Sequence, residues 1–411
     1  MNLTSTEEVV SRYTYIPQMI KVTQEFTDDS IQNVIETLKR ELYRDTIISL
    51  IKPGMRIAVT AGSRGINNSI LMIREIVSFL KENGAKPFIV PAMGSHGGAT
   101  DDGQVMVLKQ LGITMEYCGC PILSSMEVKQ VATTPTGEPV LMDKFAAEAD
   151  GIVLLGRVHP HSDVAGGLYE SGLIKMIAVG LGKQKGAQIF HQMGRQSNHQ
   201  RMPMFARLIY DNTNIMFGVA LVENTCQKTS IIRALAKEEI WTEEPKLLVK
   251  AKSYFVPLLP VPADILIVDE IGKDITGGHQ PYEVAKNILL DVNDASEGNC
   301  LGIGEYDIGT LRLFNKINFD KTYVNTINST FLIYARVPMI MNNDRMAIQL
   351  ALMTCNVLDK TKARIVRIKN HARFNELLVS ENMIEDIKKF PGLILVGQAE
   401  PMSFNAMGNL F

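Results

Sequence analysis

At 411 residues the chain is longer than one typical hydrophobic core organises, so two domains are expected. With 46% apolar residues, 21% charged residues and a net charge of −2, the composition is globular and excludes the charge imbalance that nucleic acid or an anionic membrane demands of a partner. No apolar run reaches the ~18–20 residues of a membrane span, and the start, MNLTSTEEVVSRY, lacks the basic-then-apolar order of a signal peptide, so a cytoplasmic location is expected.

The first amphipathic segment is DDSIQNVIETLKREL, where Ile31, Val34, Ile35 and Leu38 recur at helical spacing from about Asp28. From Lys52 the pattern becomes turn, strand, loop in KPGMRIAVTAGSRG, which ends on Arg64 and is followed by a helix over Ser69–Lys81 that Asn83-Gly84 terminates. The unit then repeats. KPFIVPAMGSHGGATDDGQ reads as a buried strand, a glycine loop carrying His96, and a helix that Thr100-Asp101-Asp102 can cap. ADGIVLLGRV is a third strand leading to His159 and His161, and NIMFGVALVEN is a fourth. A proline-rich connection between about Trp241 and Ala263 marks a boundary. Beyond it come the strand DILIVDEIG, the KDITGGHQ loop from Lys273, a helix near Tyr282–Leu290, a stretch from Thr322 to Tyr334, a helix through Asp344–Asn356, and the strands ARIVRI and GLILVGQ.

Strands alternating with helices imply an α/β protein: two α/β domains with mainly parallel or mixed sheets covered by helices. Residues 1–255 are expected to form the cofactor-binding and catalytic domain, joined by the tail 396–411. Residues 256–395 would close over it, with the site in the cleft between the two. In such sheets ligands collect beyond the carboxyl ends of the strands. Arg64, His96 and His161 each follow a strand. Of the five cysteines, Cys118, Cys120, Cys226, Cys300 and Cys355, only the first two are close, and they read as buried thiols rather than a zinc or redox pair.

The most unusual stretch is GRVHPHSDVAGGLYESGLIKMIAVGLGKQKGAQIFH, Gly156 to His191, with seven glycines and three of the chain's seven histidines. Lys175 sits between Ile174 and Met176, where burial would free its amine to react; the plainer reading is a lysine that snorkels out of an apolar surface. His191 can be a metal ligand or an ordinary histidine near a helix end. Lys183 and Lys185, in GLGKQKG, could hold a phosphate at a helix start or form a solvated turn. Arg64 is suited to a carboxylate or phosphate. His199, His279 and His371 read as surface or structural.

This stretch, SRG at Ser63–Gly65 and GSHGG at Gly94–Gly98 together resemble the nickel-dependent lactate racemase family. The resemblance implies a nickel-pincer nucleotide, a pyridinium-type mononucleotide tethered to Lys175. His191, sixteen positions on, would be the protein ligand to nickel, and Val179-Gly180 falls where the family has Pro-Gly. His96 and His161 would be the two acid/base histidines. Arg64 and Lys185 would hold the cofactor, with Arg64 and Lys273 on the substrate carboxylate. Departures are Ser95 in place of a threonine, Ala61 in place of an aspartate, and a fourteen-residue spacing from His161 to Lys175 that exceeds the family's and keeps His159 as a substitute. The implied activity is inversion at C2 of a 2-hydroxy acid by reversible hydride transfer, in a protein matured by cofactor-biosynthesis partners. The alternatives are a hydrolase or lyase using a metal on His96, His161 and His191, and a non-catalytic protein that binds a nucleotide or carboxylate.

Overall fold

The computed structural model describes residues 6–161, 164–192, 197–254, 259–269, 341–355, 357–370 and 373–411, and the chain divides into two compact units. Lys273, His279, Cys300, Asp163, His371, the helix expected near Tyr282–Leu290 and the stretch Thr322–Tyr334 lie outside the described residues.

One unit, Asp28–Tyr254, is built on five strands: β2 (Arg56–Ala61), β3 (Lys86–Pro91), β6 (Gly151–Arg157), β7 (Ile215–Glu223) and β8 (Thr229–Ala236). Their order is β3-β2-β6-β7-β8, parallel except for the antiparallel β7–β8 pair. Alternate residues feed two cores. Ala58, Phe88, Val90, Ile152, Leu154 and Ala220 pack on one face, against helices that include Asn198–Asn212 and Ile240–Ser253. Ile57, Val59, Ile89, Val153, Leu155 and Val219 face the other way, toward the helices Val34–Leu42 and Ser69–Glu82. The period of two that places side chains on opposite faces therefore builds a three-layer sandwich. A separate hairpin, β4 (Val128–Thr133) with β5 (Pro139–Asp143), lies outside this sheet.

The strand order reverses at β2. From β2 the chain moves to β3 on one side and later returns to place β6 on the other. The crevice at the carboxyl ends of β2 and β6 is thus the topological switch point, where α/β sheets bind ligands.

The other unit holds β1 (Met19–Gln24), β9 (Ile265–Val268), β10 (Ile365–Asn370), β11 (Arg373–Ser380) and β12 (Leu393–Glu400) in the order β12-β1-β11-β10-β9. Among the described strands of this unit, β9 and β10 pair parallel and the other pairs antiparallel. Two expectations are corrected here. Residues 6–27 do not belong with the N-terminal sheet, because β1 pairs with both β11 and β12 and buries Ile20 and Val22 against Val366, Leu377 and Val379. The tail does not return to that sheet either: Phe404 and Leu410 pack with Met19, Ile265 and Ile365. The helix expected from Asp28 begins at Val34, capped by Asn33, whose side chain accepts the Glu36 N–H at 3.1 Å. Among the described residues no helix is long and apolar enough to cross a membrane.

Candidate active site

Loops leaving the carboxyl ends of β2, β3 and β6 carry Ser63 and Arg64, His96, and Arg157 to His161 respectively. Glu223, at the end of β7, joins two of these ends. One oxygen accepts the Asn67 N–H from the β2 loop at 2.6 Å, and the other is ion-paired with Arg157. Arg64, half-buried in the β2 loop, has its pKa lowered to about 10, first by burial and then by the like charge of Arg157. Arg64, just beyond β2, and Arg157, the last residue of β6, bring two guanidiniums to this corner, with the Glu223 carboxylate beside Arg157.

His96 is held from two sides. Its Nδ1 is hydrogen-bonded to Ser63 Oγ, which joins the β3 loop to the β2 loop. Its carbonyl accepts from Gln104 Nε2 at 3.3 Å, and the same amide donates to Gly94 O at 2.9 Å. When His96 Nδ1–H donates to Ser63, Nε2 is the unprotonated nitrogen of the ring.

Lys175 ends a single helical turn, Leu173–Lys175, that runs directly into a π-helix, Met176–Gly180. Such widened turns are rare and concentrate at functional sites. The start of this segment is fixed by Glu244 of the Ile240–Ser253 helix. Its fully buried carboxyl accepts Leu173 N–H at 2.7 Å and Ile174 N–H at 3.1 Å. A Cβ on Gly172 would stand 2.5 Å from Glu244 Oε1, so a larger residue there would displace the carboxyl from these amides. Burial raises the Glu244 pKa to about 8, against the lowering effect of the two amides. The end of the segment meets the His96 loop: Gly94 N–H donates to Gly180 O at 3.0 Å, and a Cβ on Gly180 would stand 2.7 Å from Ala92 O. A Cβ on Gly62 would lie 3.5 Å from Met176 Cε, so the β2 loop borders the residue after Lys175. Lys175 itself is half-buried.

His159 is bridged to Ser171 by paired backbone hydrogen bonds of 3.0 Å, and its Nδ1 is hydrogen-bonded to Pro160 O. Burial lowers its pKa to about 3, aided by the charges of Arg157 and Lys175. An imidazole with so weak a basicity stays neutral at physiological pH and is a poor proton acceptor, which favours His161 over its neighbour for that work. The His161 N–H donates to Glu170 Oε2 at 2.6 Å, and Glu170 is ion-paired with Lys252 at 2.6 Å. His191 lies in the last turn of the Lys183–Gln192 helix, edge-on to Phe190, whose ring also meets Phe205.

The two lysines of GLGKQKG separate sharply. Lys185 is exposed on its helix. Lys183 is fully buried, with Nζ 2.6 Å from Pro91 O, 2.9 Å from Gln104 Oε1 and 3.1 Å from Asp143 Oδ2, so it cannot be a solvated turn or reach a phosphate. Cys118 and Cys120 are buried, and burial raises both thiols, the second to about 12, so neither has thiolate character. Among the described residues no three His, Cys, Asp or Glu side chains are grouped to hold a metal, so His96, His161 and His191 do not form a conventional three-ligand centre. Lys175 closes the turn anchored by Glu244, and His191 lies in the last turn of the following helix.

Sequence reasoning passed over Ser63, Gln104, Arg157, Glu170, Glu223 and Glu244. Two of them carried a signal. Ile240, Glu244, Leu248 and Ala251 are all buried on one face at helical spacing, as are Gln104 and Leu108. A polar residue on an apolar stripe must have a buried partner.

Residues 12–203 match the family described as the lactate racemase N-terminal domain. No curated protein matches the chain. Similar solved structures include a protein from Thermotoga maritima, 15% identical, with 61% of this chain and 66% of that chain covered at a TM-score of 0.47. They also include the lactate racemase apoprotein from Thermoanaerobacterium thermosaccharolyticum, 19% identical over 61% and 66% of the two chains, at a TM-score of 0.42. The chain therefore spans 66% of the length of either solved chain, less than two thirds.

Proposed function

Given a lactate racemase N-terminal domain over residues 12–203, we propose that the protein is an isomerase, a racemase or epimerase that inverts C2 of a 2-hydroxy acid. Lys175 would tether a nickel-pincer nucleotide supplied by cofactor-building partners, and His191 would ligate its nickel, imidazole being a donor that suits nickel. Arg64 and Lys185 would hold anionic groups of the cofactor, and Arg64 the substrate carboxylate as well. When bound, that group supplies an electrophilic ring carbon able to accept hydride from C2 and return it.

The chain's own residues do the proton work. A carboxylate stabilises an adjacent carbanion poorly, so removing C2–H as a proton is hard. Removing the hydroxyl proton instead needs only a positioned base. His96, with Nδ1 engaged by Ser63, offers Nε2 for that proton. His161 takes the same part for the other enantiomer, and the substrate passes through a planar 2-oxo acid. Arg64 fixes the carboxylate so that the hydroxyl meets an imidazole in either orientation.

The observation that carries this reading is the union of the Ser63–His96 pair with the Lys175 segment, through Gly94 and Gly180, at the switch point of the sheet. The test uses protein from its native host and single enantiomers of 2-hydroxy acids deuterated at C2. Inversion with the C2 label retained in ordinary water is expected. Loss of the label to solvent would point to proton abstraction and overturn the hydride route.

A further inference from the structure

The buried lysine of GLGKQKG is left without a task by the proposed chemistry, yet its setting is costly. Lys183 has φ +54°, the left-handed region that a side chain other than glycine's rarely adopts. Such strain persists where the surrounding structure over-determines the conformation. The ammonium is fully buried, and burial lowers its pKa while raising that of Asp143, so each charge depends on the other. Its three partners come from three places: Pro91 at the end of β3, Asp143 at the end of β5, and Gln104 on the Asp101–Gln110 helix. Asp143 also accepts Ala146 N–H at 2.8 Å and donates its own N–H to Leu181 O at 2.7 Å, so the carboxylate and its backbone are anchored.

Gln104 turns this hub into a relay. Its Oε1 faces the Lys183 ammonium, which fixes the orientation of the carboxamide. Its Nε2 then points both hydrogens at backbone carbonyls of the His96 loop, Gly94 O at 2.9 Å and His96 O at 3.3 Å. A neutral amide is the one side chain of this size that can accept from a cation at one end and donate twice at the other. The carbonyls are those of residues 94 and 96, flanking Ser95, so the loop that aims the imidazole is held at both sides. Gly94 also donates to Gly180 O, three residues before Lys183.

We infer that Lys183 and Gln104 are positioning residues for His96: a buried Lys183–Gln104 relay sets the loop so that the imidazole meets Ser63 with one tautomer. The inference deepens the racemase reading and rests on it only for what His96 does. Neither residue is placed in contact with substrate or cofactor.

The test is read on His96 itself in the apoprotein, by ¹⁵N-histidine NMR with His96→Gln for assignment. Gln104→Met keeps the volume and leaves Lys183 its contacts with Pro91 and Asp143. The wild type should show a single tautomer with Nδ1 engaged. Gln104→Met should give averaged tautomer shifts and a titration midpoint moved by half a pH unit or more, with the unfolding transition still cooperative. In loaded protein the variant should lose about tenfold in kcat with KM within twofold and the Lys175 adduct intact. Should Gln104→Met fail to fold, the paired change Lys183→Met with Asp143→Asn removes both charges together and should produce the same His96 signature. Unchanged His96 shifts in whichever variant folds would overturn the relay. If the shifts move but loaded wild-type protein inverts no 2-hydroxy acid, the relay stands and the racemase reading fails.

Discussion

Two buried carboxyls stand behind two lysines eight residues apart, and they are stabilised in opposite ways. Glu244 accepts from the backbone N–H groups of Leu173 and Ile174, its hydrogen-bond partners among the described residues, at the start of the turn that bears Lys175. Asp143 meets the ammonium of Lys183 at 3.1 Å and an amide besides. Amides alone leave Glu244 with a pKa raised to about 8, so near neutrality it is largely a protonated anchor and places no full negative charge behind Lys175. The Lys183 charge is neutralised on the spot, and that lysine is committed to the fold. Lys183 is fully buried against a carboxylate and is structural, whereas Lys175 is half-buried on a turn whose backbone Glu244 anchors.

The contrast can be broken most decisively at Lys175. Lys175→Ala should abolish covalent attachment of any nucleotide and reduce activity to background, while stability to urea changes by no more than about 1 kcal/mol. Next in size is His96→Ala, expected to lower kcat by about 10²–10⁴-fold with the adduct retained, as for loss of a general base. Activity with a mass spectrum of the same sample checks both halves of that statement.

Lys183→Met should invert the pattern of Lys175→Ala. Removing one member of a buried pair costs about 3–5 kcal/mol, so the variant should unfold at clearly lower urea while carrying whatever adduct its folded fraction acquires. A subtler difference is in pH dependence. Glu244 has its folded pKa raised from 4.5 to about 8, so the native state holds a proton that the unfolded chain releases. Its contribution is fully present below about 4.5 and is lost as pH rises through about 8, a slope of up to about 1.4 kcal/mol per pH unit. Glu244→Gln should flatten that slope in urea titrations across the window. The smallest expected signal belongs to His159, which with a pKa near 3 should show no imidazole titration between pH 5 and pH 8. A midpoint inside that range would return it to contention with His161.

How much of this was legible depended on the length of the apolar runs. RIAVTA, FIVP, GIVLLGR and IMFGVALV are buried almost throughout, and such runs announce parallel strands without reference to the rest of the chain. Thr100 likewise declared its helix, accepting the Gly103 N–H at 3.0 Å. β1 was passed over because MIKVTQ alternates over only six residues, and its partners β11 and β12 lie more than 350 positions away. The hairpin β4–β5, partly exposed on β4, lacks a continuous apolar signature. At the site, residue type marked Arg64, His96, Lys175 and His191 as candidates, and the roles expected of them came from the family resemblance. What holds them, Ser63 on an imidazole or Gln104 between a lysine and two carbonyls, exists only once distant loops meet. The misreading of Lys183 has the same origin: a lysine in a glycine-rich turn resembles an anion binder until Asp143, forty residues earlier, is brought beside it.

The central claim is that the Lys175 amine tethers a metal-bearing nucleotide. Intact and peptide mass spectrometry of protein purified from its native host, with nickel determined on the same fractions, reads it directly. The account predicts a nucleotide-sized adduct confined to the peptide containing Lys175, close to one nickel per chain, and neither in Lys175→Ala. Unmodified Lys175 in protein that inverts a 2-hydroxy acid, or an adduct that survives Lys175→Ala, would contradict it.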